Sequence, residues 1–480
     1  AYVHPNHSGD ATSVADGAIT FATVNANVGT FGSTTQSVQL TVNAKGLITA
    51  ISNQAIAFPL SGSGTTNYLA KFTSANAIGN SELTESGGIL TMLNGGGSQL
   101  WRLYGSSTYS TALGYQAGNS LTTSSGTVAI GFQAGYSQST SAGMIAIGYK
   151  AGYSSTQERN IFIGYEAGMD QVASSDVIAI GFRAQKANAF AIVAIGRSAL
   201  ELNTAQENLA IGAGAAANHV TGSFLVYLGT AAGTNDTGCS YTVGIGSSAL
   251  HRQVNVQYNV GIGANAGYWT TGSSNAYIGT ASGQNQTTGS NNVYAGGFNQ
   301  SYGAVRSSSQ NIVIGVKAGE AMGIGATTTD NIGIGYRALS WATGNGNIAL
   351  GTDTLYDNAA GTYNLALGTT AMRYNTSGDY NVAIGGSSLY TNVSGTQNMA
   401  IGYQALYSST GSSNVAIGYQ ALYKTTASYN VAIGSSAMYN TVAGNQSVAI
   451  GQGAGYTNIS GNDNVFIGFN AGFFTTSSNN

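Results

Sequence analysis

Few side chains in this sequence have the type and spacing that metal or thiol chemistry requires. The four histidines are His4, His7, His219 and His251, and none follows a metal-ligand spacing such as HExxH. We therefore expect surface or turn roles for them. The single cysteine, Cys239, excludes an intrachain disulfide and a multi-cysteine metal site, and its expected role is that of a small apolar filler.

Catalytic patterns are equally weak. Glycoside hydrolysis needs two carboxylates facing each other across a cleft, but the 17 acidic residues are spread over all 480 positions. The glycine-rich string Gly261–Gly267 has neither the lysine of a phosphate-binding loop nor a strand-helix-strand context, so its glycines are expected to be structural. We predict no catalytic residue, no bound metal and no cofactor, and hence a protein that is not an enzyme.

The charge content excludes two further classes of partner. Only 6% of the residues are charged, and the 14 basic residues are scattered singly, whereas nucleic-acid binding needs clustered Lys and Arg. No uninterrupted apolar run approaches the ~18 residues that cross a bilayer. With 42% hydrophobic residues, the chain is expected to fold without contacting nucleic acid or membrane.

Tyrosines are the strongest candidates for ligand contact. Five of them recur 16 or 17 residues apart, and since aromatic rings stack on sugars, a row of tyrosines could bind glycans weakly and multivalently. The interpretation we favour is a column of rings that pack on one another over the coil corners, with glycan binding as the alternative. The candidate glycan-facing residues are Tyr390, Tyr407, Tyr423, Tyr439 and Tyr456.

This spacing belongs to a repeat that covers almost four fifths of the chain. The phrase Asn-Val-Ala-Ile-Gly or a close variant closes on a glycine in 22 copies from Gly114 to Gly468, and (468 − 114)/21 gives a mean period near 16.9 residues. We call this residue the marker glycine and number each unit from it. Each unit must bury its apolar side chains against stacked neighbours. Helices are excluded by the 70 glycines.

Alternation around the marker glycine predicts strands. Val or Ile at position −3 and Ile at −1 share one face, while the residue at −2 is usually Ala, and Ala recurs at +3 in 18 of 22 copies. We expect two strands of about five residues and two turns per unit, stacked as a parallel β-roll or β-solenoid about 4.8 Å per coil. Asparagine occupies −4 in 14 copies and could form an amide ladder, for example Asn331, Asn347, Asn364, Asn381, Asn398, Asn414 and Asn430.

A homotrimer is the expected assembly. One Val, one Ile, two Ala and a Tyr bury little apolar surface per unit, and the small Ala/Gly face suggests close packing against another chain. Copies around a shared axis would also bring together three Cys239 residues, or three pairs of His4 and His7. Such contacts between copies are the alternatives to a filler role for Cys239 and to surface or turn roles for the histidines.

The residues before the array form separate parts. Residues 1–60 are predicted to be a β module, with Ser37–Val42, a turn at 43–46 and an apolar stretch 47–51 as a hairpin. Residues 61–100 read as a linker and a small β module with strands near Tyr68–Phe72 and Ile89–Leu93. The array is assigned to 101–480. The sequence starts without Met and stops mid-unit, so we expect both ends of a longer product to lie outside it.

The array resembles the head repeats of trimeric autotransporter adhesins. The phrases Asn381–Gly385 and Ile401–Ala405 carry that likeness, which implies a trimeric parallel β-roll, although the units here are about three residues longer.

Three N-terminal segments are similar to bacteriophage tail-fibre proteins. They are His4–Asp10, Val28–Ala50 and Thr66–Phe72. This resemblance implies a β-rich homotrimer outside the cell, in a virion tail. It also implies a tail or baseplate partner at the N-terminal end and a tip, outside this sequence, that attaches to a host glycan or protein.

The expected function is a rigid fibre that mediates host attachment. The main alternative is a bacterial surface adhesin or extracellular filament whose array binds glycans or cells. A third reading, a tailspike that cleaves polysaccharide, has little support from the carboxylates.

Overall fold

A computed structural model gives the architecture of the chain. It describes residues 11–13, 19–21, 36–44, 48–55, 68–74, 77–86, 89–93, 99–104, 109–122, 125–138, 142–299, 307–324, 326–475 and 478–479. Two compact units result, Ala1–Gly97 and Ser98–Asn480. His4 and His7 lie outside the described residues. The described part contains no helix that could span a membrane.

The first unit consists of antiparallel strands. β1 (Ala11–Ser13) pairs with β2 (Ile19–Phe21), and β3 (Gln36–Val42) pairs with β4 (Ile48–Ala55) where the sequence predicts a hairpin. β5 (Tyr68–Ser74), β6 (Ala77–Ser86) and β7 (Ile89–Leu93) form a second antiparallel group, in which β5 and β7 lie at the predicted strand positions and β6 was not predicted.

The second unit is a parallel β-solenoid, which confirms the predicted fold. It begins with β8 (Gln99–Tyr104), antiparallel to β9 (Thr111–Leu113). From β9 onward, each described coil contributes one short strand that pairs in parallel with the equivalent strand of the next coil. The 22 ladder strands are β9 (Thr111–Leu113), β10 (Val128–Ile130), β11 (Ile145–Ile147), β12 (Ile161–Ile163), β13 (Ile178–Ile180), β14 (Val193–Ile195), β15 (Asn208–Ile211), β16 (Leu225–Leu228), β17 (Thr242–Ile245), β18 (Val260–Ile262), β19 (Ala276–Ile278), β20 (Val293–Ala295), β21 (Ile312–Ile314), β22 (Ile332–Ile334), β23 (Ile348–Leu350), β24 (Leu365–Leu367), β25 (Val382–Ile384), β27 (Met399–Ile401), β29 (Val415–Ile417), β31 (Val431–Ile433), β32 (Val448–Ile450) and β34 (Val465–Ile467).

The expected second strand of about five residues is wrong for most coils. Positions +2 and +4 take left-handed backbone, as at Gln404 (φ 54°) and Leu406 (φ 50°), and a strand cannot continue through such residues. After this turn, only two-residue strands occur in the described part, at positions +6 and +7. They are β26 (Thr391–Asn392), β28 (Ser408–Ser409), β30 (Lys424–Thr425), β33 (Thr457–Asn458) and β35 (Phe474–Thr475).

The small face of the strand points into the coil, which corrects the expectation that it packs against another chain. The residue at −2 is buried in all 22 coils, as at Ala383 and Ala416. A coil of about 17 residues encloses a narrow interior, so only a small side chain fits beside the others that point inward. The branched residues at −3 and −1 therefore face outward.

Large interior side chains occur where neighbouring coils make room for them. Phe162 occupies −2 of its coil, and a Cβ added at Gly152 or Gly168, both at +4, would overlap its ring. In other coils with Ala at −2, such as those of Ala400 and Ala416, the space is filled instead by Leu406 or Leu422 at +4. Volume is thus conserved between the two positions, as close packing requires.

Candidate functional site: side-chain ladders of the solenoid

The predicted asparagines at −4 lie inside the coils and bond from one coil to the next. The side-chain oxygen of Asn381 accepts the backbone N–H of Asn398 at 2.9 Å, and the oxygen of Asn398 accepts that of Asn414 at 3.0 Å. Each amide nitrogen also donates to a turn carbonyl, as from Asn381 to Gly395 at 2.9 Å. The same backbone-to-side-chain bond links all seven predicted residues, Asn331, Asn347, Asn364, Asn381, Asn398, Asn414 and Asn430.

A second amide ladder lies at +7 and was not predicted. Asn375 donates to the side chain of Asn358 and Asn392 to that of Asn375, both at 2.8 Å. The signal was present in the sequence as a polar residue at +7 in most coils, but nothing in the pattern distinguishes an inward polar side chain from one in a solvated turn. Both ladders tie the turns to the strands and fix the register of the coils.

The candidate glycan-facing tyrosines form one column of stacked rings. Centroids from Tyr390 to Tyr407, Tyr423, Tyr439 and Tyr456 are 4.9–5.1 Å apart with interplanar angles of 1–7°. All five are partly buried. Burial, with the hydroxyls on either side, raises the pKa of Tyr423. Because neighbouring rings cover the faces within the column, its outward parts are the ring edges, while a sugar stacks on a face.

At the start of this column a cation takes the place of an aromatic ring. Arg373 lies 5.4 Å from the ring of Tyr356 and 5.3 Å from that of Tyr374, which meets Tyr390 edge-on. The guanidinium of Arg337 donates two hydrogen bonds to the Asp353 carboxylate, at 2.6 and 2.8 Å, in a bidentate ion pair. Cation–π contacts and a fork-shaped ion pair stabilise this part of the solenoid.

Four titratable side chains meet in the interior near Asp236. The hydroxyl of Tyr227 donates to the Asp236 carboxylate, and Nδ1 of His219 lies 3.8 Å from the other carboxylate oxygen. Nε2 of His219 is 3.0 Å from the carbonyl of Gly222. Burial opposes the protonated imidazole, but the Asp236 carboxylate and the Gly222 carbonyl outweigh it and raise the pKa of His219.

His219 departs from its expected surface role at this cluster, whereas Cys239 agrees with the expected role of a small buried filler. His219 is buried in the coil and not at the surface. Cys239 is also buried, with its sulfur accepting the N–H of Val256 at 3.4 Å, so it cannot meet the cysteines of other copies at an axis. Burial, then the nearby Asp236, raise the pKa of its thiol.

The remaining chemistry-bearing residues have structural positions. His251 stacks on Tyr268 at 4.7 Å, and the string Gly261–Gly267 follows the repeat, with Gly263 as marker glycine and Gly267 against Tyr277. No group of three or more His, Cys, Asp or Glu within the described part could hold a metal ion.

The outward face of the ladder strands is an extended apolar surface. Position −3 is Val, Ile or Leu in 19 coils and position −1 in 21, and no residue at either position is fully buried. We call these two columns the outer face. They run through all 22 coils, which rise together by about 100 Å at 4.8 Å per coil.

Comparisons of the chain with protein-family models, with curated proteins and with solved structures give no match.

Proposed function

We propose that the chain is a structural fibre, a stiff homotrimeric spacer of a bacteriophage tail that takes part in host attachment. The observation that carries the proposal is the outer face. Contiguous apolar patches larger than a few hundred Å² are rare on monomers and mark surfaces that other molecules cover. A partner for a face with a repeat every coil needs the same repeat, and another copy of the chain has it.

The interior supports a mechanical role. Inter-coil hydrogen bonds of the strands, the two asparagine ladders and the tyrosine column all repeat from coil to coil, so neighbouring coils are held at several points of their circumference. Such a solenoid resists bending without any ligand. The resemblance of His4–Asp10, Val28–Ala50 and Thr66–Phe72 to tail-fibre segments favours a tail or baseplate partner at the N-terminal end, with the receptor contact at a tip.

Mass in solution tests the assembly. We expect the full chain to sediment at three times its 48.5 kDa and to resist SDS at room temperature. Ile417→Asp places a carboxylate in the outer face and should lower the resistance of the assembly to SDS, whereas the control Lys424→Asp places one at an exposed position elsewhere on the same coil. A monomeric native chain would overturn the homotrimer.

Binding to cells separates the fibre from an adhesin. A spacer is expected to leave host cells unlabelled when the full fluorescent chain is added, because receptor contact lies at the tip. If the chain labels cells and Tyr407→Ala with Tyr423→Ala abolishes the labelling, the array itself is the adhesive element and the spacer assignment fails.

A further inference from the structure

Two exposed columns flank the outer face. Position −5 precedes the strand and position +1 follows the marker glycine, so they lie at opposite edges of the face. We call them the leading edge and the trailing edge. The chain rises about 4.8 Å along the solenoid axis per coil. The position of a +1 residue along this axis is therefore between the −5 residue of its own coil and the −5 residue of the next coil.

A groove opens at the leading edge beside β14 to β16. It has a volume of about 430 Å³ and is lined mainly by the outer-face residues Val193, Leu209 and Val226 together with Ala191 and Glu207 at the leading edge. Phe224 also lines the groove. Glu207 is exposed, and its carboxylate forms no ion pair or hydrogen bond with another described residue. The groove is thus apolar along its floor and anionic at its mouth.

The trailing edge at the same height carries a cation. Arg197 follows Gly196 and is exposed, and its guanidinium has no ion pair, hydrogen bond or aromatic contact with the described residues. In one chain Arg197 and Glu207 lie on opposite edges. The strand between Asn208 and Gly212 alone spans about 13 Å at 3.3 Å per residue.

Side-chain sizes at the two edges are complementary along the array. Eight coils that are followed by another coil have an aromatic residue at the trailing edge. In seven of these eight cases the next coil has a non-aromatic residue at its leading edge. Conversely, five of the six aromatic residues at these leading edges follow a coil with Ala, Ser or Thr at its trailing edge. Examples are Phe182 with Ala191, Tyr336 with Gly346, and Ala213 with Phe224. The exception is Tyr419 with Tyr429.

We propose that copies of this chain pack parallel and in register, with the trailing edge of one copy against the leading edge of the next. Arg197 enters the neighbouring copy's groove, where its methylene groups lie on Val193 and Leu209 and its guanidinium pairs with Glu207. Edges of complementary size then meet at every coil. This contact rests on the homotrimer proposed above, and it adds polarity and register, because an antiparallel pair would bring like edges together.

Engineered disulfides test the contact in the full chain. We expect Arg197→Cys/Glu207→Cys to form covalent trimers on a non-reducing gel, at least tenfold more than either single variant. An intrachain bond is excluded, because a disulfide needs Cα atoms within about 7 Å. The control Arg197→Cys/Thr204→Cys, with the second cysteine exposed away from the edge, should not cross-link.

Charge reversal gives a second readout on the same proteins. Arg197→Glu should weaken assembly roughly tenfold, and Arg197→Glu/Glu207→Arg should restore it. A native-mass oligomer without cross-linking or rescue would overturn the edge contact and leave the oligomer in place. Cross-linking by Arg197→Cys alone would place two trailing edges together and overturn it as well. A monomer would overturn both this contact and the assembly proposed above.

Discussion

Removing one asparagine of the −4 ladder should destabilise a short segment of the solenoid. Asn381 is fully buried and accepts the N–H of Asn398 at 2.9 Å. In Asn381→Ala that N–H loses its side-chain acceptor, whereas the carbonyl of Gly395 keeps a bond from Asn392. An unsatisfied buried donor costs about 1–3 kcal/mol, and the lost bonds to neighbours add about 1 kcal/mol more. We expect a local cost of about 2–4 kcal/mol.

The effect should be confined to nearby coils, because each coil contacts only its neighbours. Hydrogen exchange followed by mass spectrometry reports such local stability, and 2–4 kcal/mol corresponds to exchange roughly 30- to 1,000-fold faster. Peptides around Asn381 should show this change, while peptides near Gly196 should not.

Asn381→Ser is the matched control. Ser447 occupies the same position in the array, and its hydroxyl accepts the N–H of Asn464 at 3.2 Å. The serine variant should therefore lose less than half as much protection as the alanine variant. Exchange in Asn381→Ala within threefold of the native chain would refute the ladder as a source of stability.

Three further predictions follow from the interior and the turns. Gly385→Ala should destabilise its coil by more than 2 kcal/mol, because φ is +132° and a Cβ would lie 2.5 Å from a carbonyl oxygen of the next coil, whereas Gly386→Ala should be mild in the same thermal melt. Leu406→Ala removes a fully buried side chain and should cost about 2–5 kcal/mol by local exchange; a loss below 1 kcal/mol would contradict the packed interior. Because the pKa of His219 is raised in the folded state, its pairing with Asp236 stabilises the fold fully below pH ~6.5 and loses this effect as the pH rises through the folded pKa. The native chain should therefore melt at a higher temperature than the double variant His219→Asn/Asp236→Asn, and this difference in melting temperature should shrink from about pH 6 to about pH 9. A difference that stays constant with pH would refute the pairing.

The solenoid could be predicted because its period is carried by glycine. The marker glycines adopt φ values between about 117° and 140°, and a conformation that glycine adopts readily leaves a visible mark on the sequence. The expected second strand failed for the opposite reason. Gln404 and Leu406 take left-handed conformations although their residue types give no sign of it, so the turn at +2 to +4 was invisible.

The direction of the strand faces could not be predicted either. Alternation of Val382, Ala383 and Ile384 defines two faces, but period-two patterning does not say which one is enclosed. The usual expectation puts branched residues inside. Here the coil is too narrow for them, and Ala383 takes the interior. The tyrosine positions were predicted as a column, while the coverage of their ring faces required the structure.

The inter-coil hydrogen bonds have a mechanical consequence, because they lie along the solenoid axis while the covalent chain winds around it. Tension applied to the two ends loads these bonds in series, and the terminal coil yields first. Each coil that peels away replaces a rise of about 4.8 Å by about 17 residues of extended chain, close to 58 Å. The solenoid is therefore rigid under bending and compression, yet it can lengthen about twelvefold under strong pulling, one coil at a time, and absorb work before the chain itself is strained.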